Sequence, residues 1–183
     1  KYTYYIYRMR ILIVNTSERT GGAAVAAGRL VSALNNSGVQ ARMLVRDKQT
    51  TNPVVVALPK GVRSRWRFLW ERWTIFWHLH FNRHNLFAID VANTGADITS
   101  LREFKQADVI HLSWINQGML SLSTIRKIVN SGKPVVWTMH DIWPATAICH
   151  LTLGCNNFKQ QCRRCKYLPG GGGDNDLSAK VWN

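Results

Sequence analysis

The sequence predicts an α/β fold: a doubly wound, mainly parallel Rossmann-like sheet with a cysteine-rich loop after its last clear strand. Three observations predict it. Short apolar runs alternate with helix-length segments, the runs end in polar or glycine-rich residues, and the 183 residues are enough for one buried core. Strands that alternate with helices pair in parallel through right-handed crossovers, and ligands of such sheets bind beyond the carboxyl ends of the strands.

Ile11-Leu12-Ile13-Val14 is the first strand, ending in Asn15-Thr16-Ser17 and followed by Gly21-Gly22 and an alanine-rich helix from Ala23 to Leu34. Asn36, Ser37 and Gly38 close that helix. Val39 to Val45 alternates as a second strand, and Val54 to Leu58, bounded by Pro53 and Pro59, is a third. From Arg63 to Phe81 the period becomes helical: Trp66, Leu69, Trp70, Trp73, Phe76, Trp77, His80 and Phe81 make one aromatic face, and Arg65, Arg67, Glu71 and Arg72 mostly populate the other. A doubly wound sheet needs helices on both faces, which favours packing those tryptophans inward; a bilayer-facing portion is the alternative. Residues 85–106 show no clear period. Val109 to Trp114 is a strand, Leu120 to Asn130 a helix closed by Ser131-Gly132, and Pro134 to Met139 a final, buried strand.

One domain is expected over residues 9–168. Residues 1–8 precede Met9, a conventional start, and are set aside as an extension that lacks the apolar core of a signal peptide. Residues 169–183 read as a glycine-rich polar tail leading to an absent C-terminal domain. No apolar run reaches the ~20 residues of a membrane-spanning helix. The net charge of +14 favours anionic partners, with basic clusters at 1–10, 61–84 and 159–166.

Four places carry chemistry. Gly21 and Gly22 open a helix straight after a strand, where backbone N–H groups can approach an anion; without the dinucleotide or P-loop fingerprint, the residues alone favour a tight structural turn. His140-Asp141 leaves the last strand at the ligand-binding end, where a histidine could bond a sugar hydroxyl or polarise a reacting group, and a buried histidine bonded to a carbonyl is the plainer alternative. His111 to Asn116 is the third strand end. Cys149, Cys155, Cys162 and Cys165 hold all the cysteine within seventeen residues. That spacing suits a loop wrapped round tetrahedral zinc, with His150 as a substitute ligand and Lys159, Arg163, Arg164 and Lys166 offsetting the thiolate charge; two disulfides, redox-active thiols or unligated cysteines remain open.

The stretches ILIVNTSERTGGAAVAAGRL, ADVIHLSWINQGMLSL and GKPVVWTMHDIWPATAICH, with the cysteines that follow, resemble the N-terminal half of a family 4, GT-B type glycosyltransferase of bacterial polysaccharide assembly. The resemblance runs from Met9 to about Asn183. It implies retaining transfer from a nucleotide-sugar donor to a glycan or lipid-linked acceptor, in a cleft between two Rossmann-like domains. It makes Gly21 and Gly22 the donor-phosphate loop and His140 the contact to the donor sugar beside the reacting carbon. Asp141 joins His140 as a catalytic candidate, and His111, Trp114 and Asn116 become candidates for the acceptor cleft. The nucleotide would be held mainly by a C-terminal domain that this sequence does not contain, so the sequence reads as a fragment that does not turn over efficiently alone. The cysteines would be a structural zinc site. The expected setting is cytoplasmic, at the inner face of the membrane, with peripheral contact to anionic lipid through residues 63–81 and no nucleic-acid partner. Two rivals stand beside this: a zinc-stabilised, basic nucleic-acid-binding module, and a non-catalytic carbohydrate-binding domain.

Overall fold

Five strands form one all-parallel sheet in the order β3-β2-β1-β4-β5. In chain order the elements are β1 (Arg10–Ser17), α1 (Gly22–Asn36), β2 (Gln40–Asp47), β3 (Val55–Ala57), α2 (Val62–His78), α3 (Arg102–Gln106), β4 (Val109–Leu112), α4 (Leu122–Val129), β5 (Val135–Trp137) and α5 (Leu177–Trp182). This computed structural model describes residues 8–59 and 62–183, with the backbone alone at 62–64. Most of the set-aside extension, residues 1–7, therefore lies outside the described residues.

The Rossmann-like α/β architecture expected from the sequence is the one observed. Its chain divides into two compact units, each discontinuous in sequence: residues 8–59, 96–115 and 122–138 in the first, and 62–95, 116–121 and 139–183 in the second. The first holds the sheet. β1 lies between β2 and β4, paired from Arg10↔Gln40 to Ser17↔Asp47 on one side and from Ile11↔Val109 to Val14↔Leu112 on the other. A central strand covered on both faces must be apolar at successive positions, and Leu12, Ile13 and Val14 are fully buried. α1 contributes Ala24, Ala27 and Val31, three and four residues apart, and the last two pack with Ile13, Ala41, Met43, Val45 and Val55. β5 departs from expectation. It is three residues long and sits at an edge of the sheet, with Val136 exposed, so the strand read as buried is half covered.

The second unit is built round Ile75, Leu79, Ile89, Val91, Ala147, Ile148, Cys162, Tyr167, Leu168 and Leu177. Two sequence expectations change here. First, the tryptophans of α2 do not pack inward: Trp66, Trp70, Trp73 and Trp77 are 52–62% exposed, whereas Glu71, Arg72, Ile75 and Leu79 are buried. Residues 71, 72, 75 and 79 are spaced as one helix face, so the face chosen for burial carries two charges, and the ion pairs described below make that possible. Second, residues 169–183 are not a plain polar tail. Asp176 caps α5, its Oδ1 accepting from the Ala179 N–H at 2.9 Å, while its Oδ2 accepts from the Cys165 N–H at 2.8 Å. Gly172 makes this approach possible: its φ is +67°, and a Cβ there would stand 2.2 Å from Asp176 Oδ2. No helix among the described residues is long and apolar enough to cross a membrane.

Candidate functional site

In the sheet unit the strand order reverses between β1 and β4, the topological switch point at which open α/β sheets place ligands. The carboxyl ends of those two strands are tied together. Asn15 Oδ1 accepts from the Trp114 N–H at 2.9 Å, and the Thr16 N–H and hydroxyl both donate to the Trp114 carbonyl, at 2.8 and 3.0 Å. Beyond β1, Glu18 is 8% exposed and accepts from the Gln49 and Thr50 N–H groups, at 2.6 and 2.8 Å, and from the Thr50 hydroxyl. Burial alone would raise its pKa, but those donors, with help from Lys48, lower it. Glu18 is thereby committed to holding the loop after β2.

Gly21 and Gly22 follow. Gly21 is the N-cap of α1 with φ +88°, a conformation that favours glycine, and no side chain caps the helix. A Cβ at either glycine would meet nothing within 4 Å, so the first turn of α1 is open. His111 is buried, with Nε2 2.7 Å from the Thr138 hydroxyl. Trp114, two residues beyond β4, is half-buried.

The second unit contains the other sequence-predicted residues. His140 is exposed, two residues into this unit, and Asn116 is buried in it. Asp141 is held on both oxygens: Oδ1 accepts from the Trp143 N–H at 3.0 Å, and Oδ2 is 2.7 Å from His150 Nδ1. His150 Nε2 lies 2.8 Å from Asp90 Oδ2, and Asp90 Oδ1 accepts from Arg72. The Arg72 guanidinium also donates to the Leu86 carbonyl at 2.6 Å and stands 3.6 Å from Glu71 Oε2. Trp143 closes the arrangement by donating its indole N–H to the Asp90 carbonyl at 2.9 Å. Asp141 is therefore one end of a chain of charges, Asp141–His150–Asp90–Arg72–Glu71, that runs into the core from the His-Asp pair. Burial pulls the His150 imidazole toward neutrality, but the two carboxylates outweigh it and raise its pKa to about 9. Glu71 goes up to about 7, first through burial and then through the Asp90 carboxylate, against the pull of Arg72. Sequence reading missed Asp90 and the buried pair on α2. The only signal was two adjacent charges on a helix otherwise rich in aromatic residues.

All four cysteines line one cavity of about 20 Å³, with Ile148, Phe158 and Tyr167. They are reduced. Burial raises the thiol pKa of Cys149, Cys162 and Cys165, the last to about 11, and the neighbouring sulfurs raise them further. His150 is removed from the candidate ligands, because both ring nitrogens face carboxylates. Among the described residues no three His, Cys, Asp or Glu side chains converge closely enough to hold a metal ion as they stand. The basic residues of this loop are partly neutralised locally, Arg164 pairing with both oxygens of Asp174 at 2.9 and 2.8 Å.

Beside this geometry stands a likeness to a named protein. Part of the chain is similar to a glycosyl transferase. Over 63 residues it is 36% identical to the putative colanic acid biosynthesis glycosyl transferase WcaC of Escherichia coli (strain K12). The matched stretch is 33% of this chain and 15% of that protein. No protein-family model matches the chain, and no solved structure does.

Proposed function

We propose that the chain is the acceptor-side half of a retaining, family 4, GT-B type glycosyltransferase of polysaccharide synthesis, working on the cytoplasmic side. It would move a sugar from a nucleotide-sugar to a glycan or lipid-linked acceptor. The observation that carries this reading is the 36% identity over 63 residues to a protein named as a glycosyl transferase of colanic acid biosynthesis. Supporting it is a parallel sheet whose switch point bears an uncapped, glycine-opened helix.

In this reading the N–H groups at Gly21 and Gly22 face the donor diphosphate, with the partial positive charge of the α1 N-terminus behind them. His140, exposed after β5, bonds the donor sugar near the reacting carbon. His111, Trp114 and Asn116 shape the acceptor side. Asp141 takes a different part from the catalytic one its neighbour suggested: with Oδ1 on the Trp143 N–H and Oδ2 against His150, it fixes the backbone that presents His140.

The test is transfer by the complete reading frame, screened against a panel of nucleotide-sugars. His140→Ala should lower kcat by about a hundredfold or more, the usual scale for removing a positioned polar group from the reacting centre. Unchanged turnover would take His140 out of the site.

The cysteines belong to the same proposal as a structural zinc site that ties down the segment after His140. Four thiols around one small space are the donor chemistry of such a site, although the sulfurs would have to draw together to reach bonding distance, about 2.3 Å. Zinc would supply the charge that turns the raised thiols into thiolates. Protein purified without chelator should carry one zinc per chain, and a chelator should lower its Tm. Much less than one zinc, with four thiols reacting with a thiol reagent, rejects the site.

A further inference from the structure

α2 leaves an exposed aromatic surface that the proposed transfer does not use. Trp66, Trp70, Trp73 and Trp77 recur at four, three and four residues, so they form one stripe, and Phe81 and Phe87 extend it; all six are 52–62% exposed. Alongside runs an apolar groove of about 770 Å³, lined among others by Trp70, Trp73 and Phe87 and by two arginines, Arg72 and Arg83. The rings are mutually braced. Phe81 meets Trp77 and Phe76 edge-on, each at 5.4 Å between centroids.

The exposed charge along this segment has one sign. Arg65, His80, Arg83 and His84 are exposed, and between residues 62 and 90 the only acidic side chains, Glu71 and Asp90, are 0% and 1% exposed. A continuous exposed apolar patch with a polar rim marks an interaction surface. Tryptophan prefers the boundary between hydrocarbon and water, since its ring is apolar and its N–H needs a polar partner. A second copy of this chain, or another segment of the same protein, could cover the rings but would meet a rim of cations. An anionic bilayer satisfies both, because the rings reach the acyl boundary while the arginines reach headgroup phosphates. α2 spans about 25 Å and is too short and too charged to cross a bilayer, so it would lie in the plane of the surface.

We propose that the exposed Trp66–Trp77 stripe of α2, with Phe81, Phe87 and the flanking Arg65 and Arg83, docks this protein on anionic phospholipid surfaces. This stands independently of the glycosyl-transfer reading, since its measurement involves no sugar.

The test is flotation of the chain with vesicles of phosphatidylcholine alone and with vesicles in which about a third of the lipid is phosphatidylglycerol. The chain should float with the anionic vesicles about tenfold more strongly than with the neutral ones, with a blue shift of tryptophan fluorescence, and salt should weaken it. Trp70→Ser with Trp73→Ser and Trp77→Ser should reduce flotation by about tenfold or more. The three side chains are exposed, so an unchanged melting profile separates lost docking from lost folding. Arg65→Gln with Arg83→Gln should remove the preference for anionic lipid and leave the weak neutral binding. Flotation with neither vesicle overturns the proposal, as does flotation that survives the tryptophan substitutions. Sedimentation showing a dimer that the triple variant dissolves assigns the face to a second copy and overturns it too.

Discussion

Arg72→Met should destabilise the protein by about 3–5 kcal/mol, the range for removing one partner from a buried ion pair. Arg72 is 6% exposed and is the cation between two buried carboxylates, Asp90 at Oδ1 and Glu71 at 3.6 Å, while its other amino group holds the Leu86 carbonyl. Methionine keeps much of the apolar stem and removes the charge, so the loss is electrostatic rather than a cavity. What remains is Asp90 facing His150 alone and Glu71 facing no cation. For a domain stabilised by about 5–15 kcal/mol this is a large fraction. Denaturant unfolding at neutral pH measures it. Adding Glu71→Gln should recover part of the loss, because the amide can still accept from the Ala92 N–H that Glu71 Oε1 now holds at 2.7 Å, with no charge to bury. A loss under about 1 kcal/mol would place the charges in solvent, as at exposed pairs.

How much of this was legible in the sequence follows from the range over which each feature is determined. The strands of the sheet were, since a central strand such as β1 must be apolar at successive positions, and its neighbours in sequence end in polar residues or glycine. So were the switch-point loops, because their residues adjoin strands the pattern locates. α2 was located but turned over: helical periodicity finds an aromatic stripe, and hydrophobicity alone assigns it inward. What decides the matter is Asp90, eighteen residues beyond Arg72, which supplies the charge that lets Arg72 go inside. The partners of His150 were hidden for the same reason. Nine residues separate it from Asp141 and sixty from Asp90, and no local pattern links them. The glycine run at 170–173 reads locally as a linker. Only the position of Asp176 against Cys165 shows Gly172 to be a close-packing position.

The same network predicts how stability depends on pH, and the sign is fixed by two raised pKa values. A group whose pKa is higher in the folded state stabilises the fold fully below its unfolded pKa and ceases to do so as pH rises through its folded one. For Glu71 that window runs from its ordinary value of 4.5 to about 7, and for His150 from 6.5 to about 9. The windows adjoin, so stability should fall steadily from about pH 5 to pH 9 instead of holding a plateau across neutrality. The His150 share is about 3 kcal/mol, the order of free energy that holds the imidazole pKa at about 9 against its ordinary 6.5. Its physical content is an imidazolium held between Asp141 and Asp90; once it loses its proton, two carboxylates face each other across a neutral ring. Thermal melts from pH 5 to 9 measure the slope. His150→Asn should flatten it between about pH 7 and 9 and lower stability near pH 6, whereas Glu71→Gln should flatten only the part below about pH 7. Matching slopes in the parent and both variants would mean that neither group titrates in the folded protein as the geometry requires.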